Sequence, residues 1–185
     1  GNNLSLHLLE LFTSQVAKVG MTDGIRQVLQ EESDALRAYY EQAGILIARP
    51  AGETSCRLAI SAKGGTNAEN HNHNDVGSYA VALGSETMVG DQGGPNSYPG
   101  DYFNGDAPQK YKIKGSFGHP VPVVNGRTQS SGGKAKGVVL QKEFTNEKDV
   151  FSIDYTSAYS TPNLDKLIRT FVYDRQGKGS FTVGD

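Results

Sequence analysis

The spacing of apolar residues changes once along this chain, near residue 44. Before it, Leu4, Leu8, Leu11 and Phe12 recur at helical spacing, and Val16 and Val19 extend the stripe. Gly20 predicts a stop, and Thr22 predicts the cap of a second helical stretch through Ile25, Val28 and Leu29. A short third helix is predicted from Asp34 to about Gln42, ended by Gly44. The stripe is most simply a packing face.

From Ile45 the pattern is that of strands. Residues 44–49 form a buried-type run ended by Pro50, and Cys56 to Ser61 alternate before Gly64 and Gly65. Gly77 to Leu83 and Thr87 to Val89 predict a hairpin across Gly84, Ser85 and Glu86. Val121 to Val124 predicts another strand, turning at Asn125-Gly126. Val138 to Leu140, Val150 to Tyr155 and Leu167 to Tyr173 continue the series, and Gln176 to Gly179 turns into Ser180 to Val183. Strands at this spacing predict an antiparallel β-sandwich preceded by short linking helices. The division expected is a helical linker over residues 1–43 and a sandwich over residues 44–185. The stretch from Gln92 to Gly118 is long and rich in Gly, Pro and Asn, which marks a functional or disordered loop.

Composition narrows the class. The 185 residues suit one domain with a real core, and the 23 glycines fit a turn-rich β-protein. A net charge of −2 gives no bulk electrostatic case for nucleic acid or an anionic membrane. No apolar run approaches the roughly 20 residues of a membrane span. Cys56 is the single cysteine, so no intrachain disulfide forms and the redox compartment stays open. Gly1 stands where Met would begin a chain, with no signal-peptide pattern after it. The last residues read as a strand without a closing element, so both ends are expected to be cut.

The densest chemistry lies in Asn70-His71-Asn72-His73-Asn74-Asp75, which holds two of the four histidines. Its neighbours predict a strand, on which residues i and i+2 share a face, so His71 and His73 would project together. Paired imidazoles suit a metal or proton transfer; a hydrogen-bonded pair in a polar loop is the bland alternative. Asp91 opens a glycine turn after a predicted strand, and His119 precedes another. His73, Asp91 and His119 form a plausible His₂Asp set for a zinc-type ion, with a water or another group fourth. Their spacings of 18 and 28 residues require strand ends brought together by sheet pairing. A turn carboxylate and a satisfied histidine beside a proline are the plainer roles for Asp91 and His119. His7 lies in the helical stripe and is expected to be structural or at the surface.

Three separated motifs occur in order: residues 70–78 (Asn-His-Asn-His-Asn-Asp-Val-Gly-Ser), Gly90-Asp91-Gln92-Gly93-Gly94 followed by a tyrosine, and residues 116–126 around His119. Together they resemble the heparinase II/III-like polysaccharide lyases, from about Gly44 to the C-terminus. Gln92 departs from the proline common after the aspartate in that family.

The resemblance implies an α/α-toroid followed by a C-terminal antiparallel sandwich, of which this chain looks like the sandwich with the last linking helices. It implies a periplasmic or secreted bacterial enzyme that cleaves uronic-acid polysaccharide, such as heparan sulfate or alginate, by β-elimination. That reaction removes a proton beside a carboxylate and protonates the departing glycosidic oxygen, so it needs acid–base groups within hydrogen-bond reach. The carboxylate must also be neutralised. Carried over, His71 faces the substrate cleft, and His73, Asp91 and His119 bind a structural zinc. Tyr98 and Tyr102 are the candidates for a sandwich tyrosine that reaches the cleft. The resemblance places the principal catalytic tyrosine and the carboxylate-neutralising residue on the toroid, so this segment is expected to be inactive alone.

Three other classes fit less of the chain. A metallo-hydrolase of the β-lactamase type shares His71-Asn72-His73-Asn74-Asp75, but Val76 stands where a further histidine should follow, and βα alternation is lacking. A carbohydrate-binding sandwich with a loop-organising metal is the non-catalytic alternative; the chain has no Trp for an aromatic platform. Nothing matches the glutamate and closing histidine of a cupin site.

Overall fold

The computed structural model describes residues 35–52, 54–91 and 97–185. The first two predicted helices lie outside the described residues. Within them the chain is mainly β, with eleven strands: β1 (Arg37–Tyr40), β2 (Ile45–Ala48), β3 (Leu58–Lys63), β4 (Thr66–Asn67), β5 (Tyr79–Leu83), β6 (Glu86–Val89), β7 (Gly132–Lys136), β8 (Val138–Phe144), β9 (Lys148–Asp154), β10 (Ile168–Asp174) and β11 (Ser180–Gly184). A five-stranded sheet runs β1-β2-β3-β5-β6, a four-stranded sheet runs β11-β10-β9-β8, and β4 pairs with β7. All of these pairings are antiparallel. The architecture is the predicted β-sandwich.

Period-two alternation builds the core. Arg169, Phe171 and Tyr173 on β10 are buried while their neighbours are half-buried. Phe171 pairs with Phe151 of β9 across the ladder, with ring centroids 6.1 Å apart. From the facing sheet come Leu46 and Ala48 of β2 and Ile60 and Ala62 of β3, all buried in the same cluster. Tyr79 of β5 meets Phe171 and Phe181 edge-on, at 6.0 and 5.7 Å. Each large apolar side chain so enclosed contributes about 1.5–3 kcal/mol.

The charged members of the inward-facing rows are paired, as burial demands. Asp149 is bonded by Arg175 and, at 2.8 Å, by Arg37 Nε. Arg169 grips Asp185 through Nε at 2.8 Å and Nη2 at 2.6 Å. Its Nη1 donates to Gly77 O at 2.9 Å and Pro120 O at 2.8 Å. This one guanidinium thereby fastens two loops of the candidate site to the middle of the sandwich.

The structure corrects three local expectations. Residues 37–40, predicted as part of a helix over 34–42, are the edge strand β1, paired from Arg37↔Ala48 to Tyr40↔Ile45. Gly44 is not a helix stop but a turn residue with φ +63°, where a Cβ would lie 2.6 Å from Gly65 N. Roughly two to three turns of helical periodicity, too short to be stable alone, cannot compete with a ladder offered by β2. Val121 to Val124 is not a ladder strand: only the bridge Val124↔Arg127 forms, around Asn125 and Gly126 at positive φ. The third correction concerns the segment carrying His71 and His73, which is loop between β4 and β5. Within it Asn72 Nδ2 bonds to His73 O, while His73 reaches the His119 and Tyr102 side chains and Asn74 Nδ2 reaches Gln129 O, so the side chains do not stand on a pleat. Sequence reading also missed β4, β7 and the short helix α1 (Ala107–Lys110) inside the long loop.

Candidate metal centre

The loop conformation sends the two histidines in different directions. His71 is exposed, with φ +60°, a left-handed backbone that costs a non-glycine residue energy. Its ring lies edge-on to Phe103, 4.5 Å between centroids, and lines a cleft of about 500 Å³. His73 turns inward. Its Nδ1 lies 3.2 Å from His119 Nε2, and its Nε2 lies 3.5 Å from the Tyr102 hydroxyl. His119 in turn presents Nδ1 to Asp91 Oδ2 at 2.7 Å.

One ligand atom from each of His73, Asp91 and His119 can be chosen so that all lie within 4.8 Å of one another. Ligand atoms around a tetrahedral zinc, bonded at 2.0–2.1 Å, stand about 3.3 Å apart. The three side chains therefore fit a zinc-type ion with small rotations. The donor set is also right chemically: two imidazoles and one carboxylate, the last with its side chain 33% exposed. Burial first, and then the neighbouring His119, pull the His73 imidazole below its ordinary value, outweighing Asp75 and Asp91. A neutral imidazole is the form that binds metal.

Each ligand arrives on a different piece of chain. Asp91 lies two residues beyond β6, whose pairing with β5 fixes its height. His119 follows a 3₁₀ turn over Ser116–Gly118, and its N–H donates to Ser116 O at 3.2 Å. Ser116 Oγ donates to Asn74 O and accepts from Gln129 N–H, both at 3.0 Å. Asn74 N–H donates to Lys114 O at 2.9 Å, so both backbone groups of Asn74 sew the His73 and His119 loops together.

Gln129 is the buried hub of this stitching, and nothing in the sequence marked it. Its Oε1 accepts from Val76 N–H at 2.9 Å and Asn67 Nδ2 at 3.0 Å. Its Nε2 donates to Val76 O at 2.6 Å and to Tyr159 Oη at 3.3 Å. Gln129→Leu would strand several of these groups away from water. We expect it to lower stability by about 2–4 kcal/mol, read by equilibrium urea denaturation. Asn74, Ser116, Arg169 and Lys114 were likewise not picked out individually; they bond mostly to backbone, which leaves no spacing signature.

The two candidate tyrosines differ in exposure. Tyr98 is 56% exposed and Tyr102 1%, with ring centroids 5.0 Å apart. Burial, with a smaller contribution from Tyr98, raises the Tyr102 hydroxyl above its ordinary value. Tyr98 also lies 5.1 Å from Phe103, the ring that His71 touches. His71 and Tyr98 thus both touch Phe103, whereas His73 reaches the buried Tyr102 hydroxyl.

Comparison of the chain with protein-family models and with curated proteins gives no match. No described helix is long and apolar enough to cross a membrane.

Proposed function

We propose that this chain is the sandwich portion of a polysaccharide lyase that cleaves uronic-acid-containing polysaccharide by β-elimination. The observation that carries the reading is the division of labour within one short motif. His73 joins Asp91 and His119 in a cluster of metal-ligating side chains, and His71, two residues away, lines the neighbouring cleft. The order of the three motifs supports the same family.

In this reading the zinc, when bound, braces the loops that carry the cleft wall. His71 moves or steers a proton at the sugar from its exposed imidazole. Tyr98 is the tyrosine able to meet a sugar, whereas Tyr102 is sealed and its hydroxyl stays protonated. An α/α-toroid would close the other side of the cleft and supply the remaining catalytic groups, in a periplasmic or secreted protein.

The isolated 185-residue chain should show negligible turnover. A toroid-bearing form should turn over one member of a panel of uronic-acid polysaccharides, followed by absorbance of the unsaturated product. Full activity in the isolated chain would overturn the division between sandwich and toroid. No product from any uronate polymer with the toroid-bearing form would overturn the lyase reading. A non-catalytic carbohydrate-binding sandwich is the second reading, favoured by exposed Tyr98 and Phe103 beside the cleft.

A further inference from the structure

The cleft beside His71 holds a cation that the metal centre does not use. Asn70, His71, Asn72, Asn74, Phe103 and Lys114 are among its lining residues. Lys114 is only 5% exposed. Its Nζ donates to Tyr102 O at 2.7 Å and stands 5.0 Å from the ring centroids of both Tyr102 and Phe103. Among the described residues no carboxylate pairs with it, although seven other ion pairs form. One carbonyl and two aromatic faces are a thin substitute for the water this ammonium has lost. Burial accordingly pulls Lys114 below its ordinary value. Phe103, by contrast, is 47% exposed, so the cleft offers a bare apolar wall next to an enclosed positive charge.

We propose that Phe103 and Lys114 form a subsite for an acidic sugar ring, Phe103 packing against the pyranose C–H groups and Lys114 pairing with the ring's anionic substituent. Asn70, exposed on the same cleft, offers an amide side chain to the sugar's hydroxyl groups. An anion placed here restores to Lys114 the partner that burial removed, so charge selectivity should be large for a single residue. The subsite deepens the lyase reading and rests on it for the choice of sugar alone.

The test is calorimetric titration of the 185-residue chain with two acidic probes, tetramannuronate and a heparosan tetrasaccharide, and one neutral probe, cellotetraose. At least one acidic probe should bind ten-fold or more tightly than cellotetraose. Lys114→Met should abolish that preference, Lys114→Arg should retain most of it, and Phe103→Ala should weaken acidic and neutral sugars alike. Equal binding of all three probes by the wild type, or an undiminished preference in Lys114→Met, would overturn the proposal. Should Lys114→Met fail to fold, amide shifts in the ¹⁵N-labelled wild type decide: changes centred on residues 103 and 114 support the subsite, and changes confined elsewhere remove it. Binding needs no turnover, so the two readings fail separately. Acid-selective binding without elimination by the toroid-bearing form keeps the subsite and removes the lyase; unaltered kcat/KM in Lys114→Met does the reverse.

Discussion

His73→Ala should leave the chain without its metal and lower its melting temperature by about 5–10 °C. The wild type, purified without chelator, should carry about one equivalent of a zinc-type ion for its single three-residue cluster. A ligand held at about one hundred times its Kd adds about 2.7 kcal/mol to the folded state. In a chain of this length each kcal/mol moves Tm by about 2–4 °C. Chelator should produce the same shift in the wild type and none in the variant. The effect is specific because the His73 ring has few other tasks: its hydrogen-bond partners are His119 and Tyr102. Metal analysis and thermal melts check the expectation together. Unchanged metal content in His73→Ala would remove the assignment, whatever happened to Tm.

The second large effect separates the adjacent histidines. In the toroid-bearing form, His71→Ala should cost on the order of 100-fold or more in turnover, the value of a lost acid–base group. Its zinc content and Tm should stay near wild type. His71 earns this expectation from its position: an exposed ring on the cleft, touching Phe103 and absent from the metal cluster. His73→Ala should instead lose zinc and stability first, with activity falling as a consequence. Equal zinc loss in the two variants would show a joint structural role. Wild-type turnover by His71→Ala would take it off the catalytic list.

The contrast between these histidines shows where the sequence was legible. Residue type and motif order nominate residues 73, 91 and 119 as a set, and the structure brings them within reach of one ion. The strand expected to put His71 and His73 on one face is instead a loop, with His71 at positive φ, that turns them apart. The side-chain directions in this segment follow from particular hydrogen bonds, such as Asn72 to His73 O and Asn74 to Gln129 O, and not from a two-residue period. The tyrosines show the same limit. The family resemblance nominates Tyr98 and Tyr102 alike, and only packing leaves one exposed and the other sealed.

By itself the sequence determined the class of fold and most of its strands. Alternation such as Ile168–Asp174 is a local property that follows from which side chains prefer water, and it survives in the sandwich as inward Phe171 and Tyr173. The sequence also determined which residues could bind a metal, because imidazole and carboxylate chemistry belongs to the side chain. The tertiary structure alone decided what lies next to what. It made residues 37–40 an edge strand, since β2 offered a ladder that a short isolated helix could not match. It made Gln129 and Arg169 the fasteners of the site loops, since each bonds to groups more than thirty residues away in the chain. It placed Lys114 beneath the cleft with a carbonyl and two rings for company. Such relations depend on long-range closure of the chain, whose cost is met by the whole core together, so no local pattern encodes them.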